Sequence, residues 1–97
     1  MTPAQLFEQR ENVGIIDIRK NPEDKQIPGS ERYSSEEMET AEEPPFATGD
    51  RVVLYCGSGN SCGRVARALR DRGYSGTQAL VGGYAAWVSA GFPLEER

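Results

Sequence analysis

The sequence contains no histidine. That removes Cys–His and Ser–His catalysis, because a nucleophile of either kind is activated by a neighbouring imidazole base. With only two cysteines present, the same absence argues against a zinc site. Two cysteines without a visible secretory signal fit free thiols better than a disulfide framework. No apolar stretch approaches the roughly 18 residues that a membrane span needs, so no membrane contact is expected. The opening residues, Met1-Thr2-Pro3-Ala4-Gln5, hold neither a basic n-region nor an apolar h-region. A soluble cytoplasmic protein is the expectation. Internal repeats and low-complexity tracts are lacking as well.

What remains is the composition of one small domain spanning residues 1–97. The chain is 37% hydrophobic and 27% charged, enough for a single core and without room for a second. A net charge of -4 argues against general nucleic-acid binding. The charge is unevenly placed. Glu31 to Asp50 holds seven acids, whereas Arg51 to Arg72 holds five arginines and one acid, Asp71. The second stretch is therefore locally basic and suits a small anionic ligand, although arginines on an exposed helix face give the same pattern.

Thr2-Pro3-Ala4-Gln5 reads as a helix start, with Thr2 as cap, Pro3 at the first position and Gln5 completing a capping box. This helix is expected to end near Glu11-Asn12. Val13 to Ile18 reads as a buried strand, with Asp17 and Arg19 at its end placed to pair or to brace neighbouring loops. Asn21-Pro22-Glu23-Asp24 suggests a turn into a very short helix, and Ile27-Pro28-Gly29-Ser30 a break. In the acidic stretch, Ser34 or Ser35 caps a short helix through Thr40. Arg51 to Tyr55 is apolar at successive positions, as strands of a parallel sheet covered on both faces are. A helix over about Cys62 to Arg72 follows, closed by Gly73, with Cys62, Val65, Ala66 and Leu69 as its apolar stripe. Thr77 to Val81 gives another strand, Gly82-Gly83 a tight turn, and Tyr84 to Ala90 a helix stopped by Gly91 and Pro93. Alternating strands and helices imply an α/β domain, a mostly parallel central sheet flanked by helices.

The stretch with chemical content is Cys56-Gly57-Ser58-Gly59-Asn60-Ser61-Cys62-Gly63, between the buried strand and the helix. A thiol is an effective nucleophile as thiolate, and the ordinary thiol pKa is about 8.5. Backbone N–H groups of a tight loop and a helix N-terminus stabilise negative charge without a base. Cys56 stands just ahead of such an arrangement and is the candidate nucleophile; the alternative is a small buried residue at a strand end. Cys62 falls on the apolar stripe, which suits a packed thiol. The other reading is a partner forming a disulfide with Cys56 under oxidation. Cysteine phosphatases of the C-x5-R type place an arginine six positions after the nucleophile to clamp phosphate. Here that position is Cys62, and the first arginine is Arg64.

Four motifs in order resemble the rhodanese family: Asp17-Ile18-Arg19, Ile27-Pro28-Gly29-Ser30, Tyr55 to Asn60, and Leu80-Val81-Gly82-Gly83-Tyr84-Ala85-Ala86-Trp87 with Ala90-Gly91-Phe92-Pro93. Gln26 stands where the family usually has histidine, and Ser61-Cys62 where many members have Arg-Ser. The first short strand of the family is missing or reduced to Met1. The resemblance implies a small rhodanese-like domain. It further implies a sulfurtransferase in which Cys56 takes a sulfane sulfur from thiosulfate or a related anionic donor, then passes it to a thiophilic acceptor. Gly57, Ser58, Gly59, Asn60, Ser61, Cys62 and Arg64 would bind the substrate. No cofactor and no metal are required, and an acceptor protein is a possible partner. Two other readings remain: a sulfur-carrier or protein-binding module using the acidic Glu31 to Glu43 surface, and a Cys56/Cys62 redox sensor.

Overall fold

A computed structural model describes every residue except 21, 23, 41, 43 and 97. In chain order the elements are α1 Pro3–Gln9, β1 Gly14–Asp17, β2 Lys25–Gln26, β3 Glu31–Arg32, α2 Ser35–Thr40, β4 Val52–Tyr55, α3 Asn60–Asp71, β5 Thr77–Ala79, α4 Gly83–Ser89 and β6 Glu95–Glu96. The central sheet runs β3-β1-β4-β5 with every pairing parallel. The fold is the expected α/β arrangement.

Alternation along the central strands sends side chains to both faces, which explains the unbroken apolar runs. Val52, Leu54 and Cys56 of the β4 segment, with Ile16 and Ile18, face one core that also takes in Met38 of α2 and Cys62, Val65, Ala66 and Leu69 of α3. Val53, Tyr55 and Ile15 face the other, with Leu6 of α1, Leu80 and Trp87 of α4. The expected stripe of α3 is thus the buried one. The alternation also fixes the face on which Cys56 emerges.

The ends of the elements show which local signals act. Thr2 Oγ1 accepts from the Gln5 N–H at 3.2 Å while Gln5 Oε1 accepts from the Thr2 N–H at 2.9 Å, so the capping box forms. The helix stops at Gln9, sooner than expected, and the chain turns with the Asn12 N–H on the Gln9 carbonyl. Ser34, not Ser35, caps α2, its Oγ accepting from the Glu37 N–H at 3.0 Å. Helix α3 begins at Asn60 because Gly59, at φ +96°, makes the break directly before it. The short helix expected at Asn21 to Asp24 lies partly outside the described residues, and Pro22 and Asp24 are not helical. Met1 belongs to no strand, but its nitrogen donates to the Ala79 carbonyl and its carbonyl accepts from the Val81 N–H, which ties it beside the end of β5. The antiparallel pair β2–β6 was not expected. It is clipped by Glu95, whose Oε1 accepts from Gln26 Nε2 at 2.9 Å and from the Gly29 N–H at 2.8 Å.

Candidate active site at the C-terminal ends of the parallel strands

Strands β1 and β4 end side by side, with Asp17 opposite Tyr55 in the register. The residues that follow each strand therefore share one edge of the sheet, where parallel α/β folds place ligands. From β4 the chain supplies Cys56, Gly57, Ser58, Ser61 and Arg64; from β1 it supplies Ile18, Arg19 and Lys20; Ser35 comes from α2. Together they line a cavity of about 460 Å³. A second cavity of about 400 Å³ lies at the opposite strand ends, around Gly14 and Val52, and neither cysteine lines it.

Cys56 is 6% exposed, and its sulfur accepts from the Gly59 N–H at 3.1 Å and the Cys62 N–H at 3.4 Å. These donors are available because no side chain caps α3, which leaves the first N–H groups of the helix pointing at the sulfur. Burial pushes the Cys56 thiol up, but the backbone N–H of Cys62, its thiol, and the N–H groups of Gly59 and Ser61 outweigh that and bring it below its ordinary value. Cys62 goes the other way. Burial, then its hydrogen bond with Cys56 and the charge there, push it up to about 12. Of the two thiols, Cys56 is therefore the one that ionises more readily.

Helix α4 holds the loop from behind. The Tyr84 N–H donates to the Cys56 carbonyl at 2.7 Å, and the Ala85 N–H to the Gly57 carbonyl at 3.0 Å. With both carbonyls engaged there, the loop turns its N–H side to the sulfur. Gly83 permits this approach: at φ +61°, a Cβ there would stand 2.4 Å from the Cys56 carbonyl oxygen and 2.7 Å from the Gly59 nitrogen. Gly59 is constrained less by contact, a Cβ there standing 3.0 Å from the Gly82 nitrogen, but its φ of +96° also favours glycine.

The residues expected from sequence fall into separate positions. Gly57, Ser58 and Ser61 are exposed and line the cavity, while Gly59 contributes its N–H. Asn60 is exposed at the first position of α3 and does not line the cavity. Cys62 is fully buried; it contributes its N–H to Cys56, and its Sγ lies 3.4 Å from the Gly59 carbonyl and 3.8 Å from that of Leu80. Arg64 lines the cavity, but its Nη1 is 2.5 Å from Glu39 Oε1. Arg19, expected to pair with Asp17 or brace loops, does both. Its Nε and Nη2 fork onto the Asp17 carboxylate, and Nη2 also donates to the Lys25 carbonyl. The guanidinium lies 4.1 Å from the Tyr84 ring centroid. Lys20 and Ser35 were not singled out for the site. The readable signal for Lys20 was its place just beyond a strand that neighbours the cysteine strand.

Among the described residues no helix is long and apolar enough to cross a membrane, and no group of three or more His, Cys, Asp or Glu side chains is placed to hold a metal ion.

A sequence model described as "Rhodanese-like domain" matches residues 2–90. Over 49 residues, half of this chain, the sequence is 45% identical to an uncharacterised protein of Synechocystis, covering 27% of that protein. Over 50 residues, 52% of this chain, it is 33% identical to thiosulfate sulfurtransferase 16, chloroplastic, of Arabidopsis thaliana, covering 42% of it. These matches span less than half the length of either curated relative. Among solved structures, a Rhodopseudomonas palustris protein of unknown function, described as a possible tyrosine phosphatase, superposes with a TM-score of 0.81 at 28% identity. That likeness covers 97% of this chain and 82% of the other.

Proposed function

Because the chain belongs to the rhodanese-like domain family, we propose that it is a sulfurtransferase carrying a sulfane sulfur on Cys56. The observation that carries this reading is the placement of the Cys56 sulfur beneath the N–H groups of Gly59 and Cys62, at the floor of an open cavity. In the first half-reaction the Cys56 thiolate attacks the outer sulfur of thiosulfate. A Cys56–sulfur bond forms, the sulfur–sulfur bond of the donor breaks, and sulfite leaves with the electron pair. In the second, an acceptor nucleophile such as cyanide, a small thiol or a protein thiol attacks the terminal sulfur, and the Cys56 thiolate leaves. Splitting one transfer into two is ordinary covalent catalysis. Preorganised N–H groups stabilise negative charge on sulfur in the thiolate and the persulfide alike.

The similarity to the R. palustris protein raises phosphoester cleavage as a second reading. Against it, the position six after Cys56 holds buried Cys62. The cavity's arginines are both engaged, Arg19 by Asp17 and Arg64 by Glu39. Among the described residues, each arginine lining the cavity is thus paired with a carboxylate that a phosphoryl group would have to displace.

Intact mass after incubation with thiosulfate tests the proposal. The expected result is a mass increase of one sulfur atom, lost on adding cyanide and absent from Cys56→Ser. Retention of the added sulfur by Cys56→Ser would refute the assignment.

A further inference from the structure

Three cationic side chains line the Cys56 cavity, namely Arg19, Lys20 and Arg64, and no carboxylate lines it among the described residues. Their charges are not equally available. Arg19 is buried, with its fork on Asp17 at 2.7 Å. Arg64 is held by Glu39 at 2.5 Å. Lys20 is exposed and makes no ion pair among the described residues. A paired cation contributes little net field beyond its partner, whereas an unpaired one at the rim of a cleft draws anions inward.

We infer that Lys20, and not Arg64, is the residue that reads the charge of an incoming donor at this site. The inference rests on the sulfurtransferase reading for the identity of that donor, an anion whose outer sulfur must reach Cys56. Loop N–H groups handle charge at the reacting sulfur itself. Lys20 acts a step earlier, on the anionic end of the donor that remains in the cavity mouth. Arg64 serves instead to tie α3 to α2, since Glu39 belongs to the helix whose first residue, Ser35, lines the cavity.

The test is the ratio of Cys56 alkylation rates with iodoacetate, which is anionic, and iodoacetamide, which is neutral. This ratio reads the charge at the mouth and cancels changes in thiol reactivity. In low salt, Lys20→Gln is expected to lower the ratio by about threefold or more, with Lys20→Arg restoring it. The difference should collapse near 1 M salt, where the screening length is about 3 Å. Arg64→Gln should lower the ratio by less than Lys20→Gln does. A smaller fall in Lys20→Gln, or an equal or larger one in Arg64→Gln, overturns the inference. Alkylation requires no sulfur transfer. A wild-type protein that takes no sulfur from thiosulfate would therefore count against the function while this measurement still returned its answer.

Discussion

Cys56 accepts from the Cys62 N–H, yet the two thiols are driven to opposite acidities, and this difference has measurable consequences. Alkylation of Cys56 by iodoacetamide should show a midpoint below that of the same thiol in the unfolded chain. Cys62→Ala should move that midpoint upward, because the thiol of Cys62 is one of the groups holding the charge. Stability follows with a definite sign. The folded state keeps the Cys62 proton up to about 12, while the unfolded chain releases it near the ordinary thiol value of about 8.5. The unfolded state then binds fewer protons, so stability falls as pH rises through that window. Cys56 acts oppositely, adding stability as pH rises from its lowered value to the ordinary one. Urea midpoints measured between about pH 8.5 and 10 should therefore slope downward less in Cys62→Ala. Above about pH 10, Tyr55 joins the decline, since burial, the largest cause, pushes it up to about 12.

Helices α2, α3 and α4 each contribute one end to the site, and their couplings are separable. Gly83 lets α4 approach the cysteine loop. In Gly83→Ala both the positive φ and the contact with the Cys56 carbonyl oppose the new methyl group. A loss of about 1–3 kcal/mol in unfolding free energy is expected, together with a higher Cys56 alkylation midpoint as the N–H groups lose their aim. Glu39 ties α2 to α3. Glu39→Gln should cost less than about 1 kcal/mol, because the Arg64 partner is largely exposed. By freeing the Arg64 charge it should raise the preference of Cys56 for iodoacetate over iodoacetamide. Much of this was legible beforehand. The capping box, the stripe of α3 and the Gly-rich opening of that helix are local patterns, and each forms. The role of Gly82-Gly83 was read only as a turn, because the carbonyls that α4 grips, those of Cys56 and Gly57, belong to a loop distant in sequence.

On the scale of the whole molecule, two buried features hold the layers together. Trp87 is fully buried between α4 and α1, and its indole N–H donates to the Pro93 carbonyl at 2.8 Å. Trp87→Ala should cost about 3–5 kcal/mol by equilibrium unfolding. The Asp17–Arg19 pair is buried as well, and Arg19 links the end of β1 to the Lys25 backbone and to the Tyr84 ring. Removing one partner, as in Asp17→Ala, leaves an uncompensated charge and should cost a similar amount, about 3–5 kcal/mol. The β2–β6 clip could not have been read from its residues. Two-residue strands built on Lys25-Gln26 and Glu95-Glu96 carry no periodic signal, and they pair only because the fold brings together residues such as Gln26 and Glu95, 69 positions apart.

The sequence alone determined the family, the parallel α/β order, and Cys56 as the nucleophile candidate. These follow from contiguous motifs and short-range periodicity, which act within a few residues of where they are written. Cys56 and its loop were the stretch of greatest chemical content, and the structure refines how each neighbour serves it. Only tertiary structure decided that the Cys62 N–H serves the Cys56 sulfur, that Asn60 does not line the cavity, and that Glu39 pairs with Arg64. It also brought Lys20 to the mouth. Charge in a cavity is a sum over side chains from separate strands and helices, and which charges cancel depends on distances that only packing sets.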